Sequence, residues 1–323
     1  YAVSLDGGNL QRLTQDAGMH SVSFSADYQY AIDRYNNTTT PNTIRLLDSQ
    51  GKILRVLGET TVADYAPYRI KGPEFFEIQN QDGLVYHAHI NKPFDFDPQK
   101  KYPVVVEVYG GPAGQVVTNS WVNPQDMLFV NRGFLYVGFD TRGTPGRGRA
   151  WINAIHHDKA DKPLDDLRLL AEHLRTLPYV DGNNIGVWGW SNGGYMTCMA
   201  MTKGHGIFQA GAAVAPVTDY KLYDTIYTER YLGLPQRNEE GYKACAAGTY
   251  ASELQDPLLL AHGISDDNVH IQNIYAFVEK LIAAEKDYTL YLYPQKDHSI
   301  GGDDQRYHLF QRILEFFEET LKD

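Results

Sequence analysis

The chain has 323 residues, of which 43% are hydrophobic, so it is long enough to bury a sizeable core. Its 40 Asp and Glu residues outnumber 29 Lys and Arg residues, and the formal net charge of −11 argues against nucleic acid and anionic membranes as partners. No apolar run reaches the length of about 18 residues that a membrane span needs, and two cysteines are too few for a disulfide framework.

The first 62 residues are interpreted as short β-strands separated by turns. The turn signal Asp6-Gly7-Gly8-Asn9 separates the first two of them. The predicted strands are 1–5, 10–13, 21–25, 28–35, 43–48 and 53–57. They make one blade of a β-propeller and part of another, and a blade cannot bury its faces without neighbours. Because the chain also lacks an initiator methionine, we expect a piece of a longer protein, with residues 1–62 as a propeller remnant.

From residue 63 the pattern changes. A predicted hairpin is followed by apolar runs that alternate with helical patterns, which is typical of a parallel sheet covered on both faces. The predicted strands are 74–79, 84–90, 104–109, 134–139, 185–190, 210–214, 258–262 and 289–293. The predicted helices are 164–177, 195–203, 271–285 and 307–321. Residues 63–323 are therefore predicted to form one α/β domain with a mostly parallel central sheet.

The most informative motif is Gly189-Trp190-Ser191-Asn192-Gly193, which lies between a predicted strand and a predicted helix. In a nucleophile elbow the serine occupies a strained strand-to-helix turn that exposes its hydroxyl, as in the α/β-hydrolase fold. The two glycines are needed because the helix packs closely against the strand. The motif in this context predicts Ser191 as a nucleophile.

A serine hydroxyl needs a general base and a third group that orients the base. In α/β-hydrolases the acid and then the histidine follow the serine, on loops after later strands. The loop after strand 258–262 offers Asp266 and Asp267, between which the residues alone do not decide. The loop after strand 289–293 contains one histidine, His298, which is the predicted base.

The oxyanion of a tetrahedral intermediate needs hydrogen-bond donors. The backbone N–H of Asn192, next after the nucleophile, is one predicted donor. The loop 109–112 after an early strand offers the second, and Tyr109 adds a hydroxyl there. His87 and His89 share a strand face, but a zinc site needs three or four ligands and no third is apparent, so no metal is predicted.

Together these residues resemble the prolyl oligopeptidase family of serine peptidases, and most closely its dipeptidyl peptidase IV branch. The matching stretches run across the whole region from residue 101 to residue 298. They are Lys101-Tyr102-Pro103, Val108-Tyr109-Gly110-Gly111-Pro112, Asp140-Thr141-Arg142-Gly143, Gly189-Trp190-Ser191-Asn192-Gly193-Gly194-Tyr195, Val214-Ala215-Pro216-Val217, Tyr227-Thr228-Glu229-Arg230-Tyr231-Leu232-Gly233-Leu234-Pro235, His262-Gly263-Ile264-Ser265-Asp266-Asp267-Asn268-Val269-His270 and Asp297-His298.

The resemblance implies an α/β-hydrolase domain preceded by the end of a β-propeller. It implies that Asp266 is the acid of the triad and that the Tyr109 hydroxyl completes the oxyanion hole. It further implies a binding site for the residue on the amino side of the cleaved bond, called P1, and for the residue before it. These predicted substrate-binding residues are Val217, Tyr220, Tyr223, Tyr227, Asn268 and Val269.

Two departures from the branch affect the expected specificity. Asn192 stands where the branch usually has a tyrosine beside the proline pocket. An apolar ring would leave its amide underpaired, so we expect a weaker preference for proline over alanine at P1. The family's paired glutamates, which bind the free amine of the peptide, lie in an earlier part of the propeller, and the context of Glu239-Glu240 does not match them.

The sequence therefore predicts a serine exopeptidase that releases dipeptides, with tripeptides as an alternative, after Pro or Ala through Ser191, Asp266, His298 and an acyl-enzyme. An acylaminoacyl peptidase or esterase on the same fold is the main alternative. A non-catalytic interaction domain is a further one, against which the three intact residues argue. Peptides are the expected partners, without nucleic acid, cofactor or metal. The resemblance is compatible with a homodimer through the hydrolase domain, and it suggests a periplasmic or extracytoplasmic location if the protein is bacterial.

Overall fold

The computed structural model describes residues 1–322, except for the side chains of residues 64, 66 and 67. The chain divides into two compact units. Unit 1 comprises Tyr1–Glu74 and Thr118–Met127, and unit 2 comprises Phe75–Val117 and the residues from Leu128 onward. The predicted fold class, an α/β domain with a mostly parallel sheet after an antiparallel array, is confirmed. A domain boundary near residue 62 stays a prediction.

Unit 1 contains one antiparallel sheet. Its strands, which lie side by side in chain order, are β1 (Met19–Phe24), β2 (Tyr30–Asn37), β3 (Thr40–Asp48) and β4 (Ile53–Glu59). The predicted strands 1–5 and 10–13 are wrong, because their residues make only a single bridge between Ala2 and Gln11. Most of their apolar side chains are exposed, and so short a hairpin buries too little apolar surface to be stable by itself.

Unit 2 is built on a sheet of eight strands. They are β5 (Glu74–Gln79), β6 (Val85–Asn91), β7 (Tyr102–Val108), β8 (Leu135–Phe139), β9 (Val180–Trp190), β10 (Ala210–Val214), β11 (Leu258–Gly263) and β12 (Thr289–Tyr293). Their order across the sheet is β12-β11-β10-β9-β7-β8-β6-β5. The six strands from β12 to β8 in this order run parallel, and β6 is antiparallel to β8.

Eight α-helices and four short 3-10 helices lie in the described part of the chain. The α-helices are α1 (Pro124–Val130), α2 (Arg149–Ile152), α3 (Asp161–Thr176), α4 (Asn192–Met201), α5 (Thr225–Leu232), α6 (Glu239–Ala244), α7 (Gln272–Ala283) and α8 (Asp303–Leu321). The 3-10 helices are Val62–Tyr68, Asn153–Ile155, Tyr220–Leu222 and Ala247–Glu253. The sequence did not predict α1, α2, α5 and α6, since helices of four to eight residues are too short to show a clear period.

The core lies on both faces of the large sheet. Three successive residues of β7, Val104, Val105 and Val106, are fully buried, as expected for a parallel strand that is covered on both sides. The apolar positions that predicted α3 are its buried face. No helix among the described residues is long and apolar enough to cross a membrane.

Candidate active site

Ser191 occupies a sharp turn between β9 and α4. Its backbone angles, φ 60° and ψ −116°, lie in a strained region that non-glycine residues rarely adopt. The turn is held because the Ser191 N–H donates to the Val214 carbonyl at 2.8 Å, and the Ser191 carbonyl accepts from the Tyr195 N–H at 2.9 Å. This is the geometry of a nucleophile elbow.

The two glycines of the motif are required by close backbone contacts. A Cβ atom at Gly193 would collide with the Val108 carbonyl oxygen, and one at Gly189 would collide with that oxygen and with the backbone of Gly193. Helix α4 therefore packs against β7 and β9 at a distance that no larger residue allows. This close approach positions the turn at the carboxyl edge of the parallel strands, where reacting groups gather.

His298 and Asp266 lie together on the loops after β12 and β11. The Nδ1–H of His298 donates to Asp266 Oδ2 at 2.7 Å, so Nε2 is left as the proton acceptor. The carbonyl of His298 accepts from the indole of Trp190 at 3.0 Å, which ties the histidine loop to the strand that ends at Ser191. Ser191 Oγ makes no hydrogen bond to His298 in the part of the chain that is described; such bonds often tighten only when substrate binds.

Asp266 is held as a buried acceptor. Its Oδ1 accepts from the backbone N–H groups of Asn268 at 3.0 Å and Val269 at 2.8 Å. Burial by itself raises the pKa of this carboxyl, but hydrogen bonds from His262 and His298 outweigh burial and hold the pKa below its usual range. The carboxylate is therefore charged at neutral pH. Asp267, the alternative acid in the sequence, is exposed and has no hydrogen bond within the described residues.

Tyr109 lies on the loop after β7, at the same edge of the sheet as Ser191. Burial raises the pKa of the Tyr109 phenol, so the hydroxyl stays protonated and able to donate. The loop that follows is anchored by Asp140, whose carboxylate accepts from the N–H groups of Val116 at 2.9 Å and Val117 at 3.4 Å. Burial raises the pKa of Asp140 to about 6, and these hydrogen bonds oppose that shift.

A cavity of about 220 Å³, which we call the Ser191 cavity, contains most of the predicted site residues. It is lined by Tyr109, Ala113, Ser191, Asn192, Val217, Tyr220, Tyr223, Tyr227 and Asn268. Val269, also predicted, is fully buried and does not line the cavity. A larger cavity of about 610 Å³ lies at the amino ends of β11 and β12 and contains none of the predicted residues.

The Asn192 side chain has hydrogen-bond partners on both sides. Its Nδ2 donates to the Tyr109 carbonyl at 2.7 Å, and its Oδ1 accepts from the hydroxyls of Tyr220 at 2.9 Å and Tyr227 at 3.4 Å. The expectation that an apolar P1 ring would leave this amide underpaired is therefore wrong in its physical reason, because the protein itself pairs the amide. Asparagine is still smaller than the tyrosine of the branch, and this difference in size continues to predict a weaker preference for proline at P1.

Three residues near the site were not singled out as functional from the sequence. His262 is fully buried, and its Nε2 lies 2.8 Å from the Val269 carbonyl and 3.3 Å from Asp266 Oδ2. Asp140 appeared only as part of a motif. Lys159 went unnoticed, since a lysine after His-His-Asp has the composition of an exposed loop. Asp140 and His262, at the carboxyl ends of the predicted strands 134–139 and 258–262, carried a signal that could have marked them, whereas Lys159 carried none.

The two histidines considered for a metal differ in their exposure. Of the two histidines considered for a metal, His87 is exposed and His89 is buried. No group of three or more His, Cys, Asp or Glu side chains is arranged to hold a metal ion, as far as the described residues extend.

Two family models match the chain. The model of the prolyl oligopeptidase family matches residues 121–323, and the model of the dipeptidyl peptidase IV (DPP IV) N-terminal region matches residues 1–42. Among curated proteins, the probable dipeptidyl-aminopeptidase B of Aspergillus oryzae is 35% identical over 325 residues, which cover 97% of this chain and 36% of the relative. The protein of the same name from Emericella nidulans is 35% identical over 326 residues, with the same two coverages.

Solved structures agree over nearly the whole chain. Porphyromonas gingivalis dipeptidyl peptidase 4 superposes with a TM-score of 0.93 at 38% identity and covers 99% of this chain and 46% of its own. A putative dipeptidyl aminopeptidase IV from Bacteroides ovatus gives 0.88 at 36% identity, with 94% and 43% covered. The chain thus spans about a third of the length of the curated relatives and less than half of the two solved chains.

Proposed function

Since the chain belongs to the prolyl oligopeptidase family of serine peptidases, we propose that it is the catalytic part of a dipeptidyl peptidase that cleaves after proline or alanine. Ser191 is the nucleophile, His298 the general base and Asp266 the residue that orients the base. One observation above all supports this assignment: the 2.7 Å hydrogen bond between His298 and Asp266, on loops at the same sheet edge as the strained turn at Ser191.

Acylation follows from the direction of that hydrogen bond. Because His298 Nδ1 donates to Asp266, Nε2 takes the proton of the Ser191 hydroxyl as Oγ attacks the P1 carbonyl carbon. The negative oxygen that forms accepts hydrogen bonds from the Tyr109 hydroxyl and the Asn192 backbone N–H. The imidazolium then gives its proton to the leaving amine, the peptide bond breaks, and the dipeptide remains as an ester on Ser191.

Deacylation repeats these steps with water. His298 removes a proton from a water molecule that attacks the ester carbonyl, and the same donors stabilise the second oxyanion. When the intermediate collapses, the ester bond breaks and the proton returns from His298 to Ser191 Oγ. Asp266, charged throughout, stabilises the imidazolium in both halves of the reaction.

The size and lining of the Ser191 cavity support a small apolar P1 residue. About 220 Å³ between tyrosine rings and Val217 suits the ring of proline or the methyl group of alanine. Proline is already rigid and loses little entropy on binding. The names of the relatives, dipeptidyl-aminopeptidase B and dipeptidyl peptidase 4, support release of two residues from a free N-terminus.

The test uses the full-length protein and p-nitroanilides of dipeptides with proline or alanine at P1, with free or acetylated amines, and matching tripeptides. We expect turnover of the free dipeptide substrates. Ser191→Ala should remove nearly all of it without lowering the melting temperature, whereas Ser252→Ala, at an exposed serine, should be neutral. Preference for acetylated substrates would instead support an acylaminoacyl peptidase, and full activity of Ser191→Ala would exclude the proposed nucleophile.

A further inference from the structure

Lys159 is enclosed by tyrosines. The residue lies between the 3-10 helix Asn153–Ile155 and α3, and it is 1% exposed. Its Nζ lies 5.0 Å, 4.8 Å and 5.1 Å from the ring centroids of Tyr220, Tyr227 and Tyr231, which are distances for cation–π contact. Nζ also donates to the Tyr227 hydroxyl at 2.9 Å. The ammonium group is therefore contacted by three rings and one hydroxyl.

Burial of a lysine in these surroundings would be unfavourable for the stability of the fold if packing were the only role of Lys159. Lys159 forms no ion pair with any residue that the structure describes, and the neighbouring titratable group that acts on its pKa is the thiol of Cys245. Burial lowers the pKa of Lys159 to about 7. A buried ammonium without a carboxylate destabilises a fold, and an apolar side chain of similar length would fill the space without that penalty.

The hydroxyl that Lys159 contacts belongs to a wall of the Ser191 cavity. Because Tyr227 Oη accepts from Lys159, its own proton is directed to another acceptor, and Asn192 Oδ1 lies 3.4 Å away. Tyr220 donates to the same oxygen at 2.9 Å. Lys159 is thus the first member of a connected series that runs through Tyr227 to the Asn192 amide, next to the nucleophile.

We propose that Lys159 is a positioning residue for P1 discrimination, which orients Tyr227 and, through its hydroxyl, the Asn192 amide in the Ser191 cavity. The inference rests on the proposed function, since it assigns that cavity to the P1 side chain. Lys159 touches neither the nucleophile nor the base. Its removal therefore changes how well a P1 side chain is held and leaves the chemical step largely intact.

The test compares three dipeptide p-nitroanilides that differ only at P1, with proline, alanine or glycine, on the full-length protein. Glycine places no side chain in the cavity and serves as the internal reference. In Lys159→Met we expect KM for the proline and alanine substrates to rise roughly tenfold, which is the effect of losing one hydrogen bond to a charged group. KM for the glycine substrate and kcat for all three substrates should change by less than about twofold. The matched control is Lys162→Met, at an exposed lysine in the first turn of α3 whose Nζ donates to the Ala154 carbonyl; it should change none of these values.

A double-mutant cycle shows whether Lys159 acts through Tyr227. Tyr227→Phe removes the hydroxyl and keeps the ring, so we expect it by itself to lower the ratio of kcat/KM for the proline substrate to kcat/KM for the glycine substrate. In the Tyr227→Phe background, Lys159→Met should change this proline-to-glycine ratio by less than about twofold. Fully multiplicative effects would overturn the inference. So would an unchanged ratio in folded Lys159→Met, or in Tyr227→Phe if Lys159→Met does not fold. Absence of turnover by the unmodified protein overturns the proposed function and this inference with it, whereas normal turnover with an unchanged ratio overturns the inference alone.

Discussion

Replacement of Asp266 by asparagine tests the orientation of His298, the proposed general base. In the structure two backbone N–H groups donate to Oδ1 of this carboxylate, and His298 donates to Oδ2 at 2.7 Å. The Nε2–H of His262, which bonds the Val269 carbonyl at 2.8 Å, also lies 3.3 Å from Oδ2. Asparagine has the same volume, but an NH₂ group takes the place of one oxygen. The backbone N–H groups cannot become acceptors, so the amide oxygen stays with them and the NH₂ faces the histidines.

The consequence for His298 is a change of tautomer. Nδ1 gives up its hydrogen in order to accept from the new NH₂ group, and Nε2 then carries the hydrogen and cannot take a proton from Ser191. In another serine peptidase the corresponding change lowers kcat about 10⁴-fold, which corresponds to roughly 5.4 kcal/mol. We expect Asp266→Asn to lower kcat here by about 10³- to 10⁴-fold, with KM little affected.

Steady-state kinetics on a dipeptide p-nitroanilide, with the melting temperature as a check of folding, measures this effect. Asp267→Asn is the matched control, since Asp267 is exposed, and its kcat should stay within about twofold. A larger loss in Asp267→Asn than in Asp266→Asn would show that the wrong aspartate was assigned.

Asp266→Asn also tests how this carboxylate contributes to the stability of the fold in acid. The pKa of Asp266 is below its usual range in the folded state, so its charge stabilises the fold fully above about pH 4, and this contribution is lost as the pH falls through the folded pKa. Asp266→Asn should therefore be less stable at neutral pH and lose less stability in acid than the unmodified protein. An identical loss in acid for both proteins, measured by urea unfolding, would contradict the tight pairing of this carboxylate.

Three further predictions concern single groups. Tyr109→Phe removes a donor and keeps the ring, so kcat should fall about 100- to 1,000-fold with little change in KM; an unchanged kcat would mean that the loop backbone supplies the second oxyanion bond. Asn192→Tyr should raise the ratio of kcat/KM for proline over alanine at P1, because the larger ring narrows the Ser191 cavity. A constant or lower ratio would show that Asn192 does not determine P1 specificity. Burial, together with the charge of Asp140, raises the pKa of Glu107 to about 7, so the folded state binds this proton more tightly and stability should decline as the pH rises from about 4.5 to 7. Glu107→Gln, which keeps an oxygen for the Tyr136 hydroxyl, should flatten that decline in urea unfolding, and an unchanged slope would speak against a buried, protonated Glu107.

The sequence by itself determined several features of this protein. The elbow at Ser191 follows from five adjacent residues, because the close packing of α4 on β9 requires glycine on both sides of the turn. Strands β10 and β12 were predicted with the bounds that the structure has. All of β10 is buried, which explains its continuous apolar run, whereas β12 lies at the edge of the sheet and only Tyr293 of its five residues is buried. Chain order alone marked His298, and it narrowed the acid to two adjacent aspartates. The strands expected at 1–5 and 10–13 show the limit of local signals, because turn chemistry does not supply the packing partners that a hairpin needs.

Tertiary structure alone decided how these residues are supported. His262 reaches Asp266, the Asn192 amide joins Tyr109 to Tyr220, and Lys159 contacts a hydroxyl 68 residues further along the chain. These contacts depend on which loops the parallel sheet brings to one edge, and no periodicity in the sequence encodes that. A lysine beside Asp158 on an exposed-looking segment becomes a buried ammonium only because the tyrosines of a distant segment close over it. Composition and spacing predict which side of a helix or strand faces the core. Which side chain from a distant segment packs against that side is decided only by the folded chain.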